Sequence, residues 1–157
     1  MTADLWSFAT TLYARPGVEA ACLELQAAGA DVCLLLCGLW LDRRGTPYDD
    51  ALEGQLRRVS TQWQHDVVKP LRSLRQAWRT PAQQDTALAA LRQQVKRLEL
   101  DAEREQLKRL ETLAQDRVRQ PGSQQRLWLE ALAVPAVQAR EHLYGASLSH
   151  GLDQARL

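Results

Sequence analysis

The sequence predicts an all-α protein: a single helical bundle of about six helices, with a buried central helix and one long charged helix. Residues 30–41 are almost wholly apolar. This run is only about a dozen residues long, whereas a helix that crosses a membrane needs roughly 20. Such a run is typical of a helix surrounded by other helices. β-Branched residues are sparse, and most of the six prolines separate segments with helical periodicity.

The length of the chain bounds its organisation. At 157 residues, of which 45% are hydrophobic, the chain is long enough to bury a sizeable core. We therefore expect one domain over residues 1–157. Its expected regions are apolar N-terminal helices (1–45), a basic amphipathic helix (46–79), a long charged helix (82–119), a C-terminal helix (123–145) and a tail (146–157).

Composition also bears on location. The first residues contain neither the basic start nor the apolar run of a signal peptide, and no segment is long enough to span a membrane. The cysteines are odd in number and lie in apolar helical stretches, which is typical of reduced thiols. We therefore expect a cytoplasmic protein with no membrane contact.

The N-terminal third is predicted to contain three short helices. Asp4 is placed to cap the first, and the sequence around Pro16 interrupts it. A second helix follows and ends near Gly29, because glycine readily adopts the left-handed conformation that often follows a helix. Asp31 then caps the central helix, which ends before Gly45.

The fourth helix is predicted to run from about Asp50 to Arg79, because its apolar residues recur at gaps of three or four. Those positions are Leu52, Leu56, Val59, Trp63, Val67, Leu71, Leu74 and Trp78. Pro70 lies inside this run. We expect it to kink the helix, since proline cannot donate to the helical ladder.

The fifth helix, about 82–119, is predicted to be long, with an apolar stripe that narrows after Ala102 to Leu107, Leu110 and Ala114 among charged residues. A helix of about 37 residues is about 55 Å long, whereas a domain of this size has a radius of gyration near 15 Å. We therefore expect the distal half to project. Its three apolar residues would then bind a helix of a protein partner or of a second copy.

The cysteines and two groups of carboxylates allow both a structural and a metal-binding interpretation. Cys22, Cys33 and Cys37 lie in apolar helices rather than in the tight loops typical of zinc sites, which favours buried, unreactive thiols. The group Asp49, Asp50 and Glu53 matches a magnesium-binding pattern, but acids at a helix start favour capping. The pair Glu99 and Glu103 lacks the histidine of a di-iron motif, which favours a solvated face.

Several families of enzyme have short motifs that this sequence lacks. It contains no nucleophile elbow, phosphate-binding loop, dinucleotide fingerprint or zinc-protease motif. We therefore predict no catalytic residue, no metal site and no cofactor. A non-catalytic protein is favoured over an enzyme, although missing motifs do not exclude an enzyme.

Charge is unevenly distributed along the chain. Residues 1–56 carry eight acids and three bases, and residues 57–120 carry fourteen bases and eight acids. A basic stripe on the fourth helix is a candidate surface for anions or acidic partners: Arg58, Lys69, Arg72, Arg75 and Arg79. We favour ion pairs between this stripe and the acidic N-terminal third, or simple solvation, over phosphate binding.

Three motifs resemble those of a family of small uncharacterised proteobacterial proteins, known only as a domain of unknown function. They are the N-terminal segment with Leu5-Trp6-Ser-Phe8, Arg15-Pro16-Gly17-Val18 and Ala21-Cys22-Leu23-Glu-Leu25-Gln26, then Val67-Val68-Lys-Pro70-Leu71-Arg72-Ser-Leu74-Arg75, and then Glu99-Leu100-Asp-Ala102-Glu103 with Gln106 and Leu110. The resemblance covers roughly residues 5–115. It implies a bacterial cytoplasmic protein and no catalytic residue.

These observations leave three classes of function open. The favoured one is a cytoplasmic helical interaction or regulatory protein, whose partner is another protein or a second copy bound through the long helix. The second is nucleic-acid or polyanion binding through the basic stripe. The third is a helical enzyme or small-ligand binder, and an internal pocket with converging polar groups would favour it.

Overall fold

A computed structural model describes residues 3–120, 127–132 and 142–148, and within these ranges every regular element is a helix. The predicted all-α class is therefore confirmed. The elements are α1 (Leu5–Tyr13), α2 (Val18–Ala27), α3 (Val32–Arg44), α4 (Asp50–Trp63), a π-helical segment (Gln64–Val68), α5 (Lys69–Ala77), a 3₁₀ turn (Pro81–Gln83), α6 (Thr86–Ala114) and α7 (Leu127–Leu132). Residues 142–148 are also helical. None of the described helices combines the length and apolarity needed to cross a bilayer.

Aspartates cap four of these helices. The predicted caps Asp4, Asp31 and Asp49 accept hydrogen bonds from backbone N–H groups in the first turns of α1, α3 and α4, as their sequence positions indicate. The cap of α6 is Asp85, whose Oδ1 accepts from Leu88 N at 3.0 Å. The long helix therefore begins a few residues later than the sequence predicts, after the 3₁₀ turn.

Helix α3 is the buried centre of the fold, as predicted, with 11 of its 13 residues buried. Its side chains pack against α1, α2, α4, α6 and α7. Asp42 fixes α7 against it, because its carboxylate accepts from the backbone N–H groups of Trp128 and Leu129, each at 3.1 Å. Gly38 permits this approach, since a Cβ there would lie 3.3 Å from the carbonyl oxygen of Trp128.

The predicted fourth helix is divided in two. The π-helical segment Gln64–Val68 separates α4 from α5 immediately before Pro70. Proline has no N–H to donate, and its ring clashes with the carbonyl one turn earlier. The wider π turn accommodates both effects, so the chain continues helically beyond Pro70.

Helix α5 and the first half of α6 form a two-helix hairpin. Helix α5 packs on α6, and none of its own residues is fully buried. Several leucines of the hairpin remain exposed: Leu74, Leu91, Leu98 and Leu100. This segment, residues 69–100, is called the hairpin below.

The second half of α6 belongs to the core, which corrects the prediction of a projecting distal half. Leu107, Leu110 and Ala114 are 3%, 0% and 0% exposed and join the main apolar cluster. The charged residues beside them also contact α1. Glu111 accepts from the N–H of Leu5, and the guanidinium of Arg104 lies 4.8 Å from the Trp6 ring centroid, so long polar side chains lie along the same interface.

The structure describes part of the predicted C-terminal helix and little of the predicted tail. Within 123–145, α7 and the start of the helical residues 142–148 are described, and Trp128, Leu129 and Leu143 are buried in the core. Residues 121–126, 133–141 and 149–157 lie outside the described part of the chain, and so does most of the predicted tail.

Candidate functional site

A cavity of about 430 Å³ lies where the N-terminal helices meet the base of the hairpin. It has two chemically different sides. Helices α1, α2 and α3 supply mostly apolar lining residues, among them Trp6, Ala9, Tyr13, Val32 and Leu36. The π-helical segment, α5, α6 and the residue before α3 supply the polar lining residues Asp31, Gln64, Arg72, Arg75, Glu99 and Glu103.

Helical periodicity brings the polar residues together. Arg72 and Arg75 are three residues apart on α5, and Glu99 and Glu103 are four apart on α6, so each pair lies on one face of its helix. Because α5 and α6 pack against each other, these two faces meet.

The four side chains form an ion-pair network. Arg72 donates from Nε to Glu99 Oε1 at 3.1 Å and from Nη2 to Glu103 Oε1 at 3.3 Å. Arg75 donates from Nε and Nη2 to the two oxygens of Glu99, at 2.5 and 3.2 Å. Glu99 is only 7% exposed. The interpretation of this pair as a solvated face is therefore wrong for Glu99, which α5 covers, whereas the side chain of Glu103 is 31% exposed.

The two glutamates differ in their electrostatic surroundings. Burial acts to raise the pKa of Glu99, but hydrogen bonds from Arg75 and Arg72 outweigh it and hold that pKa below its ordinary value. The pKa of Glu103 is raised, first by burial and then by the neighbouring charge of Glu99. The two arginines therefore compensate Glu99 well and Glu103 incompletely.

A second polar network ends at Asp31. Gln64 Nε2 donates to Gln106 Oε1 at 2.8 Å, and Gln106 Nε2 donates to Ser60 Oγ at 2.6 Å and to Asp31 Oδ2 at 2.9 Å. Ser60 Oγ also donates to Asp31. The Asp31 carboxylate thus accepts from Gln106, Ser60 and the backbone N–H of Leu34. The network links the start of α3 to α4, the π-helical segment and α6.

Sequence reasoning missed Ser60, Gln64 and Gln106 as part of the site, although a signal was present. Ser60 and Gln64 continue the four-residue spacing of Leu52 and Leu56 on α4. Gln106 occupies the break that the apolar stripe of α6 shows after Ala102. Polar residues at apolar positions of a helix are expected to find buried partners, and these three do.

Comparison with known families gives one match. Residues 4–110 match the model of a protein family of unknown function, DUF2390. The chain belongs to this family. The matched range includes every lining residue of the cavity and all four residues of the Asp31 network. No curated protein and no solved structure matches the chain.

The three cysteines of this DUF2390 protein are free and buried. Cys22 and Cys33 contribute to the cavity wall, and Cys37 lies in the core. Burial raises the pKa of Cys22 to about 11 and raises those of Cys33 and Cys37 as well, so the thiols stay protonated at neutral pH. Among the described residues, no group of three or more His, Cys, Asp or Glu residues is arranged to hold a metal ion.

The acidic group at the start of α4 has structural partners. Asp49 caps the helix, as predicted. Glu53 accepts from Arg57 Nε at 3.0 Å and from the hydroxyl of Tyr48. Asp49 Oδ2 also accepts from Arg117 Nη1 at 2.8 Å, which ties the end of the α6 region to this turn.

The basic stripe is split by the fold of this DUF2390 protein. Arg58, Lys69 and Arg79 are exposed, whereas Arg72 and Arg75 are partly buried and turned toward α6. The acids that pair with these two arginines are therefore on α6, and the prediction that the stripe pairs with the acidic N-terminal third is wrong for them. Anion binding by the three exposed residues stays a prediction.

Proposed function

We propose that this DUF2390 protein is a non-catalytic binding protein that holds a small molecule in the cavity between α1, α2, α3 and the base of the hairpin. The cavity of about 430 Å³ falls within the roughly 300–1,000 Å³ typical of small-molecule sites. Binding is favoured over catalysis because, among the described residues that line it, no histidine lies beside a thiol or hydroxyl.

The observation that carries this proposal is the contrast between the two sides of the cavity. An apolar molecule would leave the Arg–Glu side unmatched, and a fully polar molecule would not cover the apolar side. Three apolar or aromatic lining residues remain exposed: Tyr13 at 40%, Leu23 at 54% and Leu100 at 53%. Covering apolar surface stabilises a complex by roughly 25 cal/mol per Å². An amphipathic ligand satisfies both sides.

The test uses N-phenyl-1-naphthylamine, a neutral dye that fluoresces in apolar surroundings. Thr10 lines the cavity yet is exposed, so Thr10→Trp fills the opening without disturbing the core. Thr11 is equally exposed but does not line the cavity, so Thr11→Trp is the matched control. We expect saturable binding at one site per chain, weakened at least about tenfold by Thr10→Trp and unchanged by Thr11→Trp.

Two results would overturn the proposal. A folded parent protein that binds no dye would show that the cavity does not accept apolar molecules. Equal binding by both tryptophan variants would place the dye elsewhere on the surface. Circular dichroism of each variant establishes that the fold is retained.

A regulatory role in the bacterial cytoplasm accompanies this proposal. The free, buried state of all three cysteines supports a reducing compartment, and the N-terminal motif supports a bacterial origin. Nucleic-acid binding is the less favoured alternative, because Glu99 and Glu103 oppose two of the five stripe residues, Arg72 and Arg75.

A further inference from the structure

Carboxylates outnumber guanidiniums on the cavity wall. Five ionisable side chains line its polar side. Three are carboxylates, from Asp31, Glu99 and Glu103, and two are guanidiniums, from Arg72 and Arg75. Three carboxylates against two guanidiniums leave one negative charge uncompensated when all five are ionised. The other titratable lining groups, Tyr13, Cys22 and Cys33, have raised pKa values and are neutral at pH 7.

Hydrogen bonding shows which of the three carboxylates has the fewest donors. Asp31 accepts from Ser60, Gln106 and the N-terminus of α3. Glu99 accepts three hydrogen bonds from two arginines. Glu103 receives one, from Arg72 Nη2 at a long 3.3 Å. Among the described residues, Glu103 is therefore the carboxylate of this wall with the fewest donors.

The arginines of the cavity wall are already paired with its glutamates. Arg72 divides its donors between Glu99 and Glu103, and Arg75 places two donors on Glu99. An anion that bound the remaining N–H groups of these arginines would lie beside the like charges of Glu99 and Glu103. A cation would instead add a second positive partner for the Glu103 carboxylate. Glu103 is partly buried, and ion pairs in such surroundings are screened less by salt than those at the surface.

The geometry points to an amphipathic ligand with a cationic nitrogen, a primary amine or a guanidinium on an apolar body, whose charged group binds Glu103 while its body lies against α1 and α3. This inference rests on the proposed function of the cavity. It adds the charge class of the ligand and names Glu103 as the residue that selects it.

The test compares three compounds that share one apolar body: 1-naphthylmethylamine, 1-naphthylmethanol and 1-naphthoate. Their dissociation constants are measured by calorimetry at pH 7. We expect the amine to bind at least about tenfold more tightly than the alcohol, and the carboxylate to bind most weakly. This ranking in the parent protein requires no substitution, so the inference is testable even where a variant fails to fold.

Glu103→Gln keeps the shape of the side chain and removes its charge, so it should weaken amine binding about tenfold and leave alcohol binding unchanged. Glu105→Gln is the matched control, because Glu105 lies on the same helix, pairs with Arg109 and does not line the cavity. Equal weakening by both variants would attribute the effect to net charge and overturn the assignment to Glu103.

The failures of the two proposals are distinguishable. If N-phenyl-1-naphthylamine does not bind, the proposed binding function is wrong. If the dye binds but 1-naphthoate binds as tightly as the amine, the cavity is a binding site and the inference of a cationic ligand is wrong.

Discussion

The body of the molecule and its hairpin are held together by different forces. In the body, α1, α2, α3, α7 and the second half of α6 bury one continuous apolar cluster. In the hairpin, the buried residues of the first half of α6 are Val95 and the ion-paired Glu99, and several leucines remain exposed. The cavity lies where these regions meet. The site at this junction combines apolar residues, mostly from the body, with charged residues from both regions: Arg72, Arg75 and Glu99 of the hairpin, and Asp31 and Glu103 of the body.

Paired aspartate substitutions on the two halves of α6 test this difference between the body and the hairpin. Leu107→Asp with Leu110→Asp places two charges in the apolar cluster, and we expect the protein to unfold, because burying one unpaired charge already costs several kcal/mol. Leu91→Asp with Leu98→Asp is the matched control, since these leucines are 50% and 54% exposed. The control should stay folded by circular dichroism. If the first pair remains folded, Leu107 and Leu110 are not core residues.

The same helix shows what the sequence could and could not predict. Local spacing and hydrogen bonding located the helices and the caps Asp4, Asp31 and Asp49, but not the cap Asp85 of α6 itself. They did not identify which half of α6 joins the body, because burial of Leu107 depends on contacts with α1 and α3, far away in sequence. The charges that flank Leu107 suggested exposure, yet Glu111 and Arg104 contact α1.

The sequence indicated some residues of the candidate site but not which residues they contact. Arg72 and Arg75 were selected as a basic stripe, and Glu99 and Glu103 as a carboxylate pair, but no local signal places α5 against α6. The role of Asp31 as a cap was predicted, and its role as the end of a buried network was not. That role needs Ser60 and Gln106, which are supplied by two other helices.

Removal of the Asp31 carboxylate measures how much the polar network at the junction contributes to stability. Asp31→Ala removes the cap of α3 and leaves Ser60 and Gln106 without their acceptor, so we expect the free energy of unfolding to fall by about 3 kcal/mol. Asp4→Ala removes only an exposed cap and should cost about 1 kcal/mol. Urea denaturation measures both. Equal costs would show that the network adds nothing to the cap.

The pH dependence of stability tests the burial of Asp42 in the body. Burial raises the pKa of Asp42 to about 6, although backbone N–H groups of Leu129 and Trp128 act to lower it. The folded protein therefore takes up this proton at a higher pH than the unfolded chain, whose aspartate has a pKa near 3.9. The contribution of Asp42 to stability should rise as pH falls from about 7 to about 4, by up to roughly 3 kcal/mol.

This dependence is measured as a difference between the parent and Asp42→Asn. Urea denaturation at several pH values between 4 and 7 should show the parent gaining stability relative to the variant as pH falls. Other titrating groups cancel in that difference. A difference that is constant across this range, or that changes in the opposite direction, would show that burial does not control the Asp42 carboxyl.

The central claim is that the cavity at the junction binds small molecules, and its decisive test is nuclear magnetic resonance of the isotope-labelled protein titrated with N-phenyl-1-naphthylamine. The account predicts saturable chemical-shift changes at lining residues, Trp6, Leu36 and Glu103 among them, and none at Leu91 on the exposed part of the hairpin. Changes confined to the exposed leucines of the hairpin, or no changes at any concentration at which the compound is soluble, would contradict it.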